Sequence, residues 1–318
     1  MLRRVFVAIT IAAAAAVTGC NGGTASPPPF FTGITVTPSP TPTPGPQHLY
    51  VGNDNASGEV FQYTLPITAA STSNFTITAP APGNVFGLGL DATGNLAVGL
   101  NNGTLQFYNA PLSGASVPAA TFSNAGAGGT GQITFTPAGD FFVGGTQVNT
   151  FTHPFSNAST PSSSISNPAI SYAIAALLDA AQNLYVVDEG SGTGGKLLVY
   201  APPYTGAPTI TAIVAGTNYR KAAISATQLF VTSVGGLQRV DVYNLPITAA
   251  SVPAFSITNG ANNPETATVD AAGNLYVGNL GNHTVTVYAP PFSAASAPTV
   301  TLTVGGAGFA IFAIAIGK

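Results

Sequence analysis

The sequence contains one cysteine, one methionine and no tryptophan in 318 residues, and only 5% of it is charged. A lone cysteine excludes an intrachain disulfide framework and any cysteine-rich zinc site. Seven Lys and Arg stand against ten Asp and Glu, so the clustered cations that nucleic acid or an anionic bilayer surface requires are missing, and no nucleic-acid partner is expected. Of the three histidines, His48 and His153 have no Cys, His or carboxylate at metal-ligand spacing, so a histidine-built zinc site is not expected, and His283 is open to a role as general base or metal ligand or to a plain loop hydrogen bond. No Gly-x-Ser-x-Gly elbow, phosphate loop or dinucleotide fingerprint occurs with the strand-to-helix context it needs. Helical periodicity longer than two turns is absent as well. Soluble domains usually carry roughly 25% charge; here Ser, Thr, Asn, Gln and Gly must build the surface instead, which suits the outside of a cell.

What is present begins with "MLRRVFVAITIAAAAAVTGC". Arg3 and Arg4 precede an apolar run over 5–17 that is too short to span a bilayer as a helix, the pattern of a secretory signal over residues 1–19. The tetrapeptide Val17-Thr18-Gly19-Cys20 resembles the bacterial lipobox, which implies cleavage before Cys20 and a lipid on its thiol. The membrane is then a partner through that anchor. Cleavage leaves five Lys and Arg against ten Asp and Glu, a net charge of about −5. Asn21, rather than aspartate, follows the cysteine, which points to transfer to an outer membrane in a double-membraned envelope. Residues 20–46, "CNGGTASPPPFFTGITVTPSPTPTPGP", hold no charged side chain and are rich in Pro, Thr and Ser; they read as an extended tether.

From 47 to 318 the chain repeats itself. "HLYVGN" (48–53), "NLAVGL" (95–100), "DFFVGG" (140–145), "NLYVVD" (183–188), "QLFVTS" (228–233) and "NLYVGN" (274–279) follow one another at steps of 47, 45, 43, 45 and 46 residues. An aromatic, two residues and a proline recur in phase, at Tyr63/Pro66, Tyr108/Pro111, Phe151/Pro154, Tyr200/Pro203, Tyr243/Pro246 and Tyr288/Pro291. Within a repeat, short β-branched and aromatic runs alternate with polar residues between Gly, Asn and Pro, the pattern of strands. The sixth copy divides into strand A (266–269), a turn (270–274), strand B (275–278), strand C (284–288) and strand D (299–304). Four antiparallel strands per 43 to 47 residues is the size of a propeller blade.

Prolines order the strands. Pro118, Pro161, Pro208, Pro253 and Pro298 each stand just before a strand D, and proline, lacking a donor, fits best at a sheet edge, so D is the outer edge. The domain begins at a strand B without its A and ends with "GFAIFAIAIGK", an A without its blade. The last strand is therefore expected to complete the first blade. With strand-A segments near 85–90, 132–136, 170–178, 221–225, 266–269 and 309–316, the expected fold is an all-β, monomeric, six-bladed β-propeller of four-stranded antiparallel blades. The A-to-B turn needs Asp and Asn for local hydrogen bonds and Gly for positive φ, which gives Asp91, Asp140, Asp179 and Asp270 a structural role.

The stretch "VDAAGNLYVGNLGNHTVTVY" (269–288) resembles the NHL repeat. Only this copy matches that pattern well and the fourth, "LLDAAQNLYVVDEG", in part; Thr284 stands where the family usually has Arg, and Ser225 replaces the turn aspartate of the fifth copy. The resemblance implies a propeller whose relatives include protein-binding modules, peptide-amidating lyases and lactonase-like enzymes. Fold alone does not choose among them.

In such a ring the A-to-B and C-to-D turns share one face, and the B-to-C loops and D-to-A links share the other. The turn aspartates fall on the first. Asp54, Glu59, Asp188, Glu189, Lys196, Arg220, Lys221, Glu265 and His283 fall on the second, and in so uncharged a chain this clustering marks a candidate ligand-binding face. Solvated loops also collect charge, which is the plainer explanation. Asp188 and Glu189 in the Gly-rich "DEGSGTGGK" loop are candidates for Ca²⁺; otherwise no cofactor or metal is expected, and no catalytic constellation is evident. The functional expectation is a lipid-anchored, extracytoplasmic, non-catalytic binding or scaffold module for a protein, peptide or glycan. The alternatives are a hydrolase or lyase using carboxylates and His283 at the channel mouth, and a purely structural envelope role.

Overall fold

The computed structural model describes residues 46–318 except 55–57, 81–82, 191–193, 205–207 and 307, all within the unit Gly45–Lys318. The signal segment, Cys20 and all but the end of the tether lie outside the described residues. Twenty-four strands form six four-stranded antiparallel sheets. Blade 1 takes β1 (His48–Asn53), β2 (Glu59–Thr64) and β3 (Phe75–Thr78). Blade 2 is β4 (Val85–Leu90), β5 (Leu96–Leu100), β6 (Thr104–Tyr108) and β7 (Ala120–Ser123). Blade 3 is β8 (Ile133–Phe135), β9 (Phe141–Val143), β10 (Val148–Phe151) and β11 (Ser163–Ile165). Blade 4 is β12 (Ala173–Leu178), β13 (Leu184–Asp188), β14 (Gly194–Tyr200) and β15 (Ile210–Thr217). Blade 5 is β16 (Tyr219–Ile224), β17 (Gln228–Ser233), β18 (Arg239–Asn244) and β19 (Phe255–Ile257). Blade 6 is β20 (Pro264–Val269), β21 (Leu275–Asn279), β22 (Thr284–Tyr288) and β23 (Val300–Thr303). The final strand, β24 (Ile311–Gly317), pairs antiparallel with β1, from His48↔Gly317 to Asn53↔Ile311, and so closes the six-bladed propeller.

Strand A is innermost and strand D outermost in every blade, and each inner strand touches the next around the axis. The apolar residues bury in six separate clusters, one per junction between blades. Alternate side chains of a strand serve different junctions: Leu49 and Val51 pack towards blade 6, whereas Tyr50 packs towards blade 2. That two-sided covering explains why inner strands read as nearly continuous apolar runs. Blades 2 to 4 approach one another so closely near the axis that a Cβ on Gly87 would lie 2.0 Å from the Gly131 carbonyl oxygen, and one on Gly131 would lie 2.6 Å from that of Ile174.

The A-to-B turns fold on their own side chains. Asp270 Oδ1 accepts from the amides of Ala272 (2.9 Å) and Asn274 (2.8 Å), and its Oδ2 accepts from Asn274 Nδ2 (2.8 Å) and Tyr276 OH (3.1 Å). Gly273 takes φ +85°, which a glycine adopts without strain. Asp91 and Asp179 make the same bonds to Asn95 and Asn183. Asp140 stands instead at the asparagine's end of its turn, where it accepts from the His153 amide (3.0 Å) as Asn95 accepts from Ala110 (2.8 Å); Thr136 takes the aspartate's place. The recurrent proline follows a cis peptide bond in all six blades.

Candidate functional site

Regular pairing fails at the loop-face end of the inner strands. The register of the A–B ladder slips between Asn53 and Gly52 in blade 1, Val85 and Gly87 in blade 2, Ala173 and Ala175 in blade 4, Tyr219 and Ala222 in blade 5, and Pro264 and Thr266 in blade 6. In blade 3 Gly131 donates to Gly144 while Ile133 is opposite Val143, which leaves Gln132 between them. Each slip is a β-bulge, a device that leaves a residue out of the ladder and re-aims its side chain. The residues left out, in ring order, are Phe312, Phe86, Gln132, Ile174, the pair Arg220 and Lys221, and Glu265.

Five of these line one depression at the loop-face mouth of the axis. Phe86, Ile174, Arg220, Glu265 and Phe312, with Tyr172 and Glu189, enclose about 280 Å³. Phe86 and Phe312 stack with centroids 4.8 Å apart. Arg220 Nη1 pairs with Glu189 Oε1 at the rim, and its Nε lies 3.4 Å from Glu265 Oε2 below. Lys221 is wholly buried; its ammonium donates to the Phe312 carbonyl and sits 5.4 and 5.5 Å from the Phe86 and Phe312 ring centroids. Gln132 reaches from blade 3 to blade 5, its Nε2 donating to Ala222 O (3.0 Å) and its Oε1 accepting from Ala222 N (3.3 Å). Lys221 and Gln132 thus brace the ring from opposite sides.

Burial sets the electrostatics. It pushes the Glu265 carboxyl well above the carboxylate range, against the attraction of Lys221 and Arg220. It pushes the Lys221 amine down, opposed by Glu265 and Asp54 and aided by Arg220. Desolvation also raises Asp54, with a hydrogen bond from Asn84 and the charge of Lys221 working the other way.

Of the residues selected from the sequence, the structure brings Glu189, Arg220, Lys221 and Glu265 together, with Asp54 near enough to feel Lys221. Arg220, Lys221 and Glu265 lie within inner strands rather than in the D-to-A links. Asp188 does not line the mouth. Its Oδ1 accepts from the amides of Ser171 (2.8 Å) and Tyr172 (2.6 Å), clasping the link into blade 4. Asn53 and Asn279, in the same column of the repeat, clasp Ala310 N (3.0 Å) and Asn262 N (2.9 Å) likewise. Lys196 Nζ donates to Ala169 O (3.0 Å), and Glu59 accepts from Asn53 Nδ2 (3.1 Å). His283 occupies a left-handed turn position (φ 58°) and does not line the mouth. The carboxylates of Asp188 and Glu189 go to different partners, and among the described residues no group of three or more His, Cys, Asp or Glu is placed to hold a metal ion.

A larger groove of about 630 Å³ opens on the turn face between blades 5 and 6, walled by residues 225–228 and 270–273 with Pro290, Pro291 and Phe292. Its one ionisable side chain, Asp270, is committed to its own turn. The mouth, not this groove, gathers the charge.

No family model matches the chain, and no curated protein matches it in sequence. Among solved structures it is similar to a protein of unknown function from Bacteroides caccae, at 11% identity and a TM-score of 0.62, over 86% of this chain and 99% of that one. A protein from Lactobacillus plantarum matches at 15% identity and a TM-score of 0.56, over 86% and 100% of the two chains. The structure of U3-55K matches at 9% and 0.58, over 83% and 80%. These likenesses are of fold alone.

Proposed function

We propose that this chain is a lipid-anchored, extracytoplasmic, NHL-like binding module, and that the axial mouth on its loop face engages a protein, peptide or glycan without turning it over. The observation that carries this reading is the mouth's build. About 280 Å³ lies just below the roughly 300–1,000 Å³ of pockets that enclose a small ligand. Lys221 and Gln132 tie non-adjacent blades together beside the mouth. A ligand fits by lying across the face and inserting one ring or side chain between the Phe86 and Phe312 edges and the Arg220 carboxylate pair. The ion pairs and braces hold that shape rigid, as a preorganised site requires. The lipobox-like Val17–Cys20 tetrapeptide and the uncharged tether support the anchor.

Two experiments test it. Binding of envelope glycan fragments and peptides to the purified chain is expected to weaken at least tenfold in Arg220→Ala and in Phe312→Ala; binding that both variants retain removes the mouth as the site. Metabolic labelling with a clickable fatty acid is expected to tag the wild type and not Cys20→Ser, and equal labelling of both removes the anchor.

One observation favours a second reading, a hydrolase or lyase: Glu265 is a buried carboxyl held near neutrality beside an amine, the disposition of a general acid–base. Lactone, ester or peptidyl-lyase turnover that is lost in a folded Glu265→Gln variant would establish it.

A further inference from the structure

The outer edges of the six blades are not alike. Five are three or four residues long: β3, β7, β11, β19 and β23. Short edge strands are one of the ways a sheet avoids pairing with another molecule. The sixth, β15, runs eight residues, Ile210–Thr217, with no proline inside it and no charged residue between Lys196 and Arg220. Its side chains alternate. Ala212 and Val214 enter the core shared with blade 5, while Thr211, Ile213 and Ala215 face solvent. Ile213 is 45% exposed, one of three exposed large hydrophobic residues among those described. Ser233 Oγ donates to the Thr217 carbonyl (2.6 Å), fixing the end of the strand to blade 5, and the register with β14 slips at Thr211, between Ile210 and Ala212, which leaves residues 212–216 as the regular edge. Within its sheet β15 pairs only with β14.

We propose that β15 is an association edge at which two copies of this chain pair antiparallel about a two-fold axis, joining their fourth blades into one eight-stranded sheet. A second copy is the occupant the observations favour. A strand laid antiparallel on itself is self-complementary, so every outward donor and acceptor of one copy meets its counterpart in the other. The molecule carries net negative charge, so copies repel, and they approach at least cost along a stretch that has none. The solvent-facing Ile213 of each copy would also be covered by the other's strand. Such a contact is small, and the dimer is accordingly weak and concentration-dependent, in place of the monomer expected from the sequence.

The test is sedimentation velocity on the purified full chain carrying Cys20→Ser, across a hundredfold range of concentration. Reversible dimerisation is expected, at least tenfold weaker in Ile213→Lys and in Thr211→Lys, and unchanged in Val117→Lys on blade 2; circular dichroism verifies that each variant is folded. Single cysteines at 211, 213 and 215 in the same background are expected to give oxidative dimers at the position on the two-fold axis and not at its neighbours. A chain that stays monomeric at the highest concentration, or that dimerises equally in both lysine variants, overturns the proposal.

Discussion

The two faces of the ring use their few charges in opposite ways. On the turn face Asp91, Asp179 and Asp270 bond to backbone and side chains within six residues of themselves. On the loop face Arg220 joins Glu189 to Glu265, and Lys221 reaches Phe312, 91 residues away on another blade. Local bonds shape one blade; axial bonds tie blades together. Aspartates therefore act as turn formers on one face, and Arg220, Lys221 and Glu265 as inter-blade fasteners on the other.

The contrast is best broken at Arg220. Arg220→Ala leaves buried Glu265 with only the attraction of Lys221, a loss of about 3 kcal/mol in chemical denaturation. Adding Glu265→Gln should recover part of it, because the carboxylate that lost its partner goes too while Lys221 loses the attraction of Glu265. On the other face Asp270→Ala removes four hydrogen bonds from one tight turn, and about 2 kcal/mol is the expected cost. No second substitution across the ring should rescue it, since all its partners lie between Ala272 and Tyr276.

Acidity sharpens the comparison, with a smaller effect. Burial opposes ionisation of Asp91, but bonds from Thr93 and Asn95 outweigh it and hold the carboxyl below its ordinary value; Asp179 is lowered in the same way by Asn183 and Tyr185. A depressed carboxyl stabilises the fold above its unfolded pKa, so this contribution fades as pH falls below about 4. Glu265 is raised to about 7. The folded state then holds the extra proton, and stability declines as pH rises from about 4.5 to 7. Thermal melts should slope down across that window, and Glu265→Gln should flatten the slope while leaving the acid limb intact. Smallest of all, Val117→Ser and Val252→Ser at the exposed C-to-D loops, 77% and 74% exposed, should shift stability by less than about 0.5 kcal/mol.

The fold was largely legible because each blade repeats the same local instructions. Tight turns, edge prolines and two-sided apolar strands are short-range signals, and the incomplete blades at either end gave the closure. Strand ends were less so: Glu265 is the second residue of β20, whereas the apolar pattern starts that strand at 266. The pattern fails there because the bulge removes the alternation it depends on. Asp188 reads as a ligand candidate only when taken alone; aligned with Asn53 and Asn279 it is one of the polar residues that end strand B and bond to the link before the inner strand. The mouth was half-visible. Charge scarcity marked Arg220, Lys221 and Glu265, but nothing marked Phe86, Gln132, Ile174 and Phe312, which are ordinary letters of a strand. A signal did exist. Phe86, Gln132, Ile174, Arg220, Glu265 and Phe312 recur 42 to 47 residues apart, and within strands kept small and apolar this one column changes its chemistry from blade to blade.

Because the apolar cores sit between blades and none lies on the axis, Phe86 and Phe312 are largely relieved of the work of holding the ring together, which along the axis falls to Gln132, Lys221, the Arg220 ion pairs and the core residue Ile174. The mouth is then an address written on a repeating page, and exchanging its characters at Phe86 and Phe312 offers a route to change what the proposed binding face accepts while the cores between blades stay as they are.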